Sequence, residues 1–286
     1  MTENPVINMA DGVIPLRKSS TVTTPVPVVE EPKYPSEVIP LPTKGWFYPE
    51  GHPLTSGEIE VKQMTAREED LLSNQELIKK GKVLEKLLET LIVNKNIKLD
   101  EILTPDKNAI FMAIRRLAYG DDYAVSITCP SCANQSKVNI NLSELQYKSF
   151  DFESHQKGSN SFEFKLPNGK VITYKILNGS DDTSIDAELN NLKKMVKDGN
   201  TPDWSTRLKY IITSVEGNTD KGFIRKFVDS SQLMAKDSFA LRKHIRELMP
   251  DVDLTFDYKC ENCNLERRLD IPMGVSFLWP DFESRR

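Results

Sequence analysis

Four cysteines, and only four, stand in the chain as two pairs of identical spacing: Cys129-Pro130-Ser131-Cys132 and Cys260-Glu261-Asn262-Cys263. Each pair follows a run with strand character and precedes another. A C-x-x-C turn holds two sulfurs close enough for one metal ion, and two such turns supply the four ligands of a closed tetrahedral zinc site. If the pairs meet, one Zn²⁺ ties together two distant parts of the chain. Four thiolates leave no position for water or substrate, so the chemistry they point to is structural rather than catalytic.

The surroundings of the two pairs repeat. The first reads Ile114-Arg115-Arg116-Leu117, a short linker, Tyr123-Ala124-Val125-Ser126-Ile127, then Cys129. The second reads Ile245-Arg246-Glu247-Leu248, a short linker, Asp253-Leu254-Thr255-Phe256-Asp257, then Cys260. Both run helix, strand, C-x-x-C, strand. The pattern implies two half-sites built alike, packed about a pseudo-twofold axis and sharing one ion. Lys137, Lys259, Arg267 and Arg268 lie near the turns as candidates to offset the negative charge of four thiolates. Neither turn carries the usual glycine, which leaves asparagine, in Cys132-Ala133-Asn134 and Cys263-Asn264, to supply the left-handed conformation.

At 286 residues the chain is long enough to bury a sizeable core in one or two domains. No apolar run is long enough to span a membrane, and the N-terminus lacks the basic-then-apolar pattern of a secretory signal. In a reducing compartment, C-x-x-C pairs favour metal or redox roles over disulfides. Net charge is −4 with both signs interspersed, so no basic block invites a phosphate backbone.

The order of the chain suggests four segments. Residues 1–36, rich in Pro, Thr, Val and Ser, read as an extended or disordered N-terminal arm; Thr23-Thr24-Pro25-Val26-Pro27-Val28-Val29 is β-favouring but broken by prolines. As a functional element such an arm would lie along a neighbouring subunit and make an oligomer. Residues 37–145 form a helical block with the first cysteine unit. It opens on a Pro- and aromatic-rich stretch containing Trp46, Phe47 and Tyr48, continues through a strand at 58–64, and starts a helix at the capping box Thr65-Ala66-Arg67-Glu68. Leu84, Leu87, Leu88, Leu91 and Ile92 share one helix face, and Thr104-Pro105 opens another helix that Gly120 ends.

Residues 146–180 hold an inserted β-hairpin, with alternating apolar residues on either side of Asn168-Gly169. Residues 181–286 form a second helical block. Its stripes are Ile185, Leu189, Leu192 and Val196, then Leu208, Ile211, Ile212 and Val215 in a helix opened by Thr201-Pro202. Phe223, Ile224, Phe227 and Val228 form another, and Leu241, Ile245, Leu248 and Met249 the last. The second cysteine unit follows.

Catalytic readings find little support. A redox C-x-x-C opens a helix whose N-terminus lowers the thiol pKa, whereas the flanks here are strands. His52, His155 and His244 have no partner pattern. Glu68-Glu69-Asp70, Asp121-Asp122 and Asp181-Asp182 fit helix-start and loop chemistry. No phosphate loop, dinucleotide fingerprint, zinc-protease or nucleophile-elbow motif occurs.

Several stretches together resemble a known family. These are Ile39-Pro40-Leu41-Pro42-Thr43-Lys44-Gly45, Tyr48-Pro49-Glu50-Gly51, Met64-Thr65-Ala66-Arg67-Glu68-Glu69-Asp70-Leu71-Leu72, Ile78-Lys79-Lys80-Gly81 and Arg115-Arg116-Leu117-Ala118-Tyr119-Gly120, followed by the first cysteine pair. The chain is similar here to the baseplate hub proteins of T4-like tailed phages, well over residues 38–145 and more loosely beyond. The resemblance implies a non-enzymatic tail component or assembly factor of a contractile-tailed phage. It implies work in the host cytoplasm during assembly or residence in the virion baseplate, and it supplies no catalytic residues.

The sequence therefore leads to an α+β protein: two helical blocks joined by a zinc-ribbon-like pair of strand–C-x-x-C–strand units, with an inserted hairpin. Its metal ligands would be Cys129, Cys132, Cys260 and Cys263. Its partners would be other baseplate and tail proteins, met through Trp46, Phe47 and Tyr48, since aromatics anchor interfaces; burial in the chain's own core is the alternative for those three. The competing function is a nucleic-acid-binding zinc ribbon, for which Arg267, Arg268, Arg285 and Arg286 are the only hint. A thiol oxidoreductase is the third.

Overall fold

A computed structural model describes residues 35–195 and 202–280. The arm at 1–34, Val196, Thr201, Arg285 and Arg286 lie outside the described residues. The described residues mix helices with small antiparallel sheets of two or three strands.

The first sheet pairs β1 (Ser36–Pro40) with β2 (Glu58–Lys62). Three short helices follow: α1 (Ala66–Leu72), α2 (Gln75–Lys79) and α3 (Val83–Leu91). The capping box forms at α1, where the Thr65 backbone N–H donates to the Glu68 carboxylate at 2.9 Å. Leu87, Leu88, Leu91 and Ile92 are buried as their spacing demands. Next comes α4 (Thr104–Tyr119), ended by Gly120 at φ 80°. Thr104 sits inside its first turn rather than capping it, because its hydroxyl donates instead to the Leu177 carbonyl at 3.0 Å.

The first cysteine hairpin is β3 (Asp122–Thr128) with β4 (Gln135–Asn141). The inserted hairpin is β5 (Phe162–Lys165) with β6 (Val171–Tyr174). Its turn is Pro167-Asn168-Gly169, where both Asn168 and Gly169 tolerate positive φ. Leu166 and Lys170 remain paired, only Gly169 takes a positive φ (89°), and Asn168 is drawn to Asp237 at 3.0 Å by both its backbone and side-chain nitrogens. A three-residue loop with a left-handed glycine results.

The second helical region runs α5 (Gly179–Met195), α6 (Asp203–Ile211), α7 (Lys221–Asp229) and α8 (Ala235–Leu248). One stripe was misleading. Ile212 and Val215 do not continue a helix; β7 (Ile212–Val215) joins β6 and makes the hairpin three-stranded. Branched side chains at Ile211, Ile212, Thr213 and Val215 favour the extended form once β6 offers an edge. The chain ends its described part with β8 (Thr255–Lys259), β9 (Glu266–Asp270) and the single turn α9 (Val275–Leu278).

One large apolar core joins the first sheet, α3, α4, the three-stranded sheet, α6 to α8 and α9. Phe47 and Tyr48 are 2% and 3% exposed and belong to it. Phe47 packs edge-on against Phe150 and Phe162, and Tyr48 stacks on His52. Gly45, at φ +70°, lets the chain turn into this cluster where a Cβ would lie 2.4 Å from the Leu54 carbonyl. Tyr48 also donates to Asp106, a fully buried carboxylate that accepts from the Thr43 amide and hydroxyl as well (2.7, 3.1 and 2.7 Å). Among the described residues, no helix is long and apolar enough to cross a membrane.

Candidate metal centre

Both hairpins deliver their cysteines in the same way. In each, the last ladder pair, Thr128↔Gln135 or Lys259↔Glu266, is followed by a loop bearing the C-x-x-C turn. The Cys129 amide donates to Asn134 O (2.8 Å) and Ala133 N to Cys129 O (3.0 Å). The Cys260 amide donates to Leu265 O (2.9 Å) and Asn264 N to Cys260 O (2.9 Å). Residue for residue the loops correspond. The left-handed position falls on Asn264 (φ 53°) in one and on Ala133 (φ 57°) in the other. Asn134 does not take that role: the turn needs positive φ directly after its second cysteine, whichever residue stands there.

The two turns face each other. Cys129 Sγ lies 3.7 Å from Cys263 Sγ, and Cys132 Sγ 3.7 Å from Cys260 Sγ. All four sulfurs fall within 4.8 Å of one another. A tetrahedral ion with metal–sulfur bonds of about 2.3 Å spaces its sulfurs by about 3.8 Å, whereas a disulfide would bring two of them to about 2.05 Å. The donor set and its spacing fit a metal ion. Cys129 and Cys260 are buried, Cys132 half-buried and Cys263 exposed. Ile127 and Tyr258, with Val125, Val138, Phe256, Leu265 and Leu269 around them, make a small separate core about the sulfurs. Ser136 Oγ and Tyr258 Oη, 3.1 Å apart, bridge the hairpins beside it.

Backbone and amide N–H groups polarise the sulfurs. The Cys263 and Asn262 amides pull Cys260 down to about 6. The Asn262 side chain, 3.5 Å away, and the Asn134 amide lower Cys132. Cys263 moves the opposite way, up to about 11: the Leu265 amide draws it down, but desolvation and the three neighbouring sulfurs together outweigh it. Four adjacent thiols cannot all ionise alone, and a divalent cation removes that conflict. Two of the four basic side chains expected to do so are engaged in ion pairs elsewhere. Lys259 pairs with Glu266 and Arg268 with Asp253, each at 2.7 Å.

No histidine joins the cluster. His52 binds Glu101, His155 packs among Phe47, Phe150 and Phe162, and His244 lies against Phe164 and Tyr174. Asp181 and Asp182 stand in the first turn of α5, paired with Lys175 and Lys107 at 2.7 Å each. Of the three aromatics singled out in the sequence, only Trp46 keeps part of its surface. Its indole N–H donates to the His155 carbonyl (3.0 Å), and Lys157 covers one face.

Two like hairpins bring four cysteine sulfurs, with no histidine or carboxylate among them, into one cluster able to hold a metal ion. The chain belongs to the T4 bacteriophage base plate protein family, whose model matches residues 50–279. It is a structural protein of the phage tail and works among other tail proteins. The match takes in both cysteine hairpins and the C-terminal half, and begins after the Ile39–Pro49 stretch that also suggested the family. No curated protein and no solved structure matches it.

Proposed function

We propose that this chain binds other tail proteins while the baseplate hub is built, as a hub subunit or an assembly chaperone, and that one structural Zn²⁺ shared by both cysteine pairs holds its docking form. The observation that carries the metal reading is the convergence of Cys129, Cys132, Cys260 and Cys263 within 4.8 Å. Only thiolates contribute, which suits a closed zinc site. The ion would fasten hairpins whose cysteines lie up to 134 positions apart, in the manner of a zinc ribbon divided between two halves of a chain.

Family membership supports both the tail role and the non-enzymatic reading. Of the arginines that hinted at nucleic-acid binding, Arg268 is engaged in an ion pair with Asp253. Partner contact is assigned to Trp46 rather than to Phe47 and Tyr48, which have no surface to offer.

Two measurements test this. Elemental analysis of the purified chain should return one zinc per molecule, lost on mutation of any of the four cysteines; zero or two would sink the shared site. Mass spectrometry of finished tails and of assembly intermediates should find the chain in hub-containing particles. Its presence only in particles lacking hub proteins would refute the hub role.

A further inference from the structure

The outward face of α8 gathers cations around an exposed ring. Phe239 stands on it 62% exposed. Lys236 lies three positions before Phe239, and Arg242, Lys243 and Arg246 lie three, four and seven after it, so helical spacing sets all four about the ring. The opposite side of α8 is held in the fold by Asp237 and Leu241, both buried. Asp237 is spent there, accepting from Asn168, and cannot answer the outward charges. Trp204, in the first turn of α6 and 47% exposed, extends the aromatic surface, with the Arg242 guanidinium over its ring at 5.2 Å.

These cations are poorly partnered. Among the described residues Lys236, Arg242 and Arg246 enter no ion pair, and Lys243 reaches only Glu247, 4.0 Å away with both side chains exposed. Arg242 Nε donates to the Ser238 carbonyl of its own helix. A face that meets only water intersperses its charges and keeps large rings inside. Four cations around two rings also run against the balance of a chain whose net charge is −4.

We propose that this face of α8, with Trp204 beside it, docks an acidic segment of a partner tail protein. The segment sets an apolar side chain against Phe239 and carboxylates against the surrounding cations. Covering the ring supplies the apolar gain, and the charges steer the encounter and give it its salt dependence. An apolar partner without acids would strip water from the cations and return nothing. A nucleic-acid strand is disfavoured, because one helix face is a short basic track and a longer polyanion meets the net −4 of the rest of the chain. That the partner is a tail protein rests on the function proposed above, whereas the chemistry of the face does not.

The test uses the full chain and a fluorescent peptide repeating Leu-Glu-Glu-Ala, about 16 residues long so that it can form a helix. Anisotropy measures its affinity, and that of a Leu-Lys-Lys-Ala counterpart and of labelled oligothymidylate; sedimentation measures binding to phosphatidylglycerol vesicles. The expected result is saturable binding of the Glu peptide. It should weaken at least tenfold on Phe239→Ser, and again on Lys243→Glu combined with Arg246→Glu, which should transfer the preference to the Lys peptide. All three positions are exposed, so urea midpoints should stay with the wild type. Lys79→Glu combined with Lys80→Glu, exposed on α2, should leave the affinity within twofold. No binding of the Glu peptide, an equal loss in the α2 control, or no transfer of preference overturns the proposal. So does tighter binding of oligothymidylate or of the vesicles, which would make the face one for nucleic acid or lipid. Purified chain and synthetic probes suffice throughout, so a failure here leaves the tail role standing.

Discussion

The Asp106→Asn variant offers the most direct probe of the buried network behind the aromatic loop. Asp106 is fully buried, and desolvation lifts its pKa from 3.8 to about 6 despite hydrogen bonds from Thr43 and Tyr48 that pull it down. The folded chain therefore holds this proton more tightly than the unfolded one. Its contribution to stability is fully present below pH 3.8 and is lost as pH rises through about 6. A shift of this size corresponds to about 3 kcal/mol, at roughly 1.36 kcal/mol per pH unit.

Asparagine cannot titrate and nearly preserves the shape. The wild type should thus lose about 2.4 kcal/mol of that total relative to Asp106→Asn between pH 4 and pH 7. Urea unfolding of both proteins at several pH values measures it. Subtracting one curve from the other removes the paired carboxylates of Glu101 and Glu188, whose pKa values are lowered and which act in the opposite sense. A flat difference across that range would refute the reasoning: it would mean that Asp106 stays ionised at no cost, or that water reaches it.

Three further outcomes are expected. Cys263→Ser, at the exposed ligand, should abolish stoichiometric metal binding and make the melting temperature indifferent to chelator, whereas the wild type should fall on chelation; equal chelator responses would argue against a resident ion. Ala133→Gly should stabilise the chain by about 0.5–1 kcal/mol in chemical denaturation, since an alanine at positive φ pays a penalty that glycine escapes; a loss of stability would show that the turn is unstrained. Gly45→Ala should cost at least about 2 kcal/mol, as its Cβ meets the Leu54 carbonyl and its φ is left-handed; a neutral result would mean that this loop relaxes freely.

The cysteine centre was readable in sequence because C-x-x-C spacing is local chemistry, and because the repeated helix and strand around each pair implied that the two meet. Helices with strong apolar stripes, such as α3, were readable for the same reason. What escaped was set by distant contacts. Ile212–Val215 became a strand because β6 supplied an edge, which no local pattern reports. Asn168 is held by Asp237, 69 positions away, and leaves the positive φ to Gly169. Phe47 and Tyr48 went inside because Phe150, Phe162 and Asp106 surround them, while an aromatic run alone cannot separate an interface from a core. The Nε and Nη1 of Arg115, without a hydrogen-bond partner among the described residues, had no sequence signal, since burial of this kind is visible only once the neighbours are placed.

The cysteine turns also have a topological consequence. A cation gripped by both pairs would make a lasso of everything from the first hairpin to the second, and the inserted sheet with α5 to α8 would hang within it. Tethering a span of more than a hundred residues strips the denatured chain of about 5 kcal/mol of freedom by polymer estimates. The middle of the molecule would then be the part whose endurance depends most on a supply of metal, though it touches none.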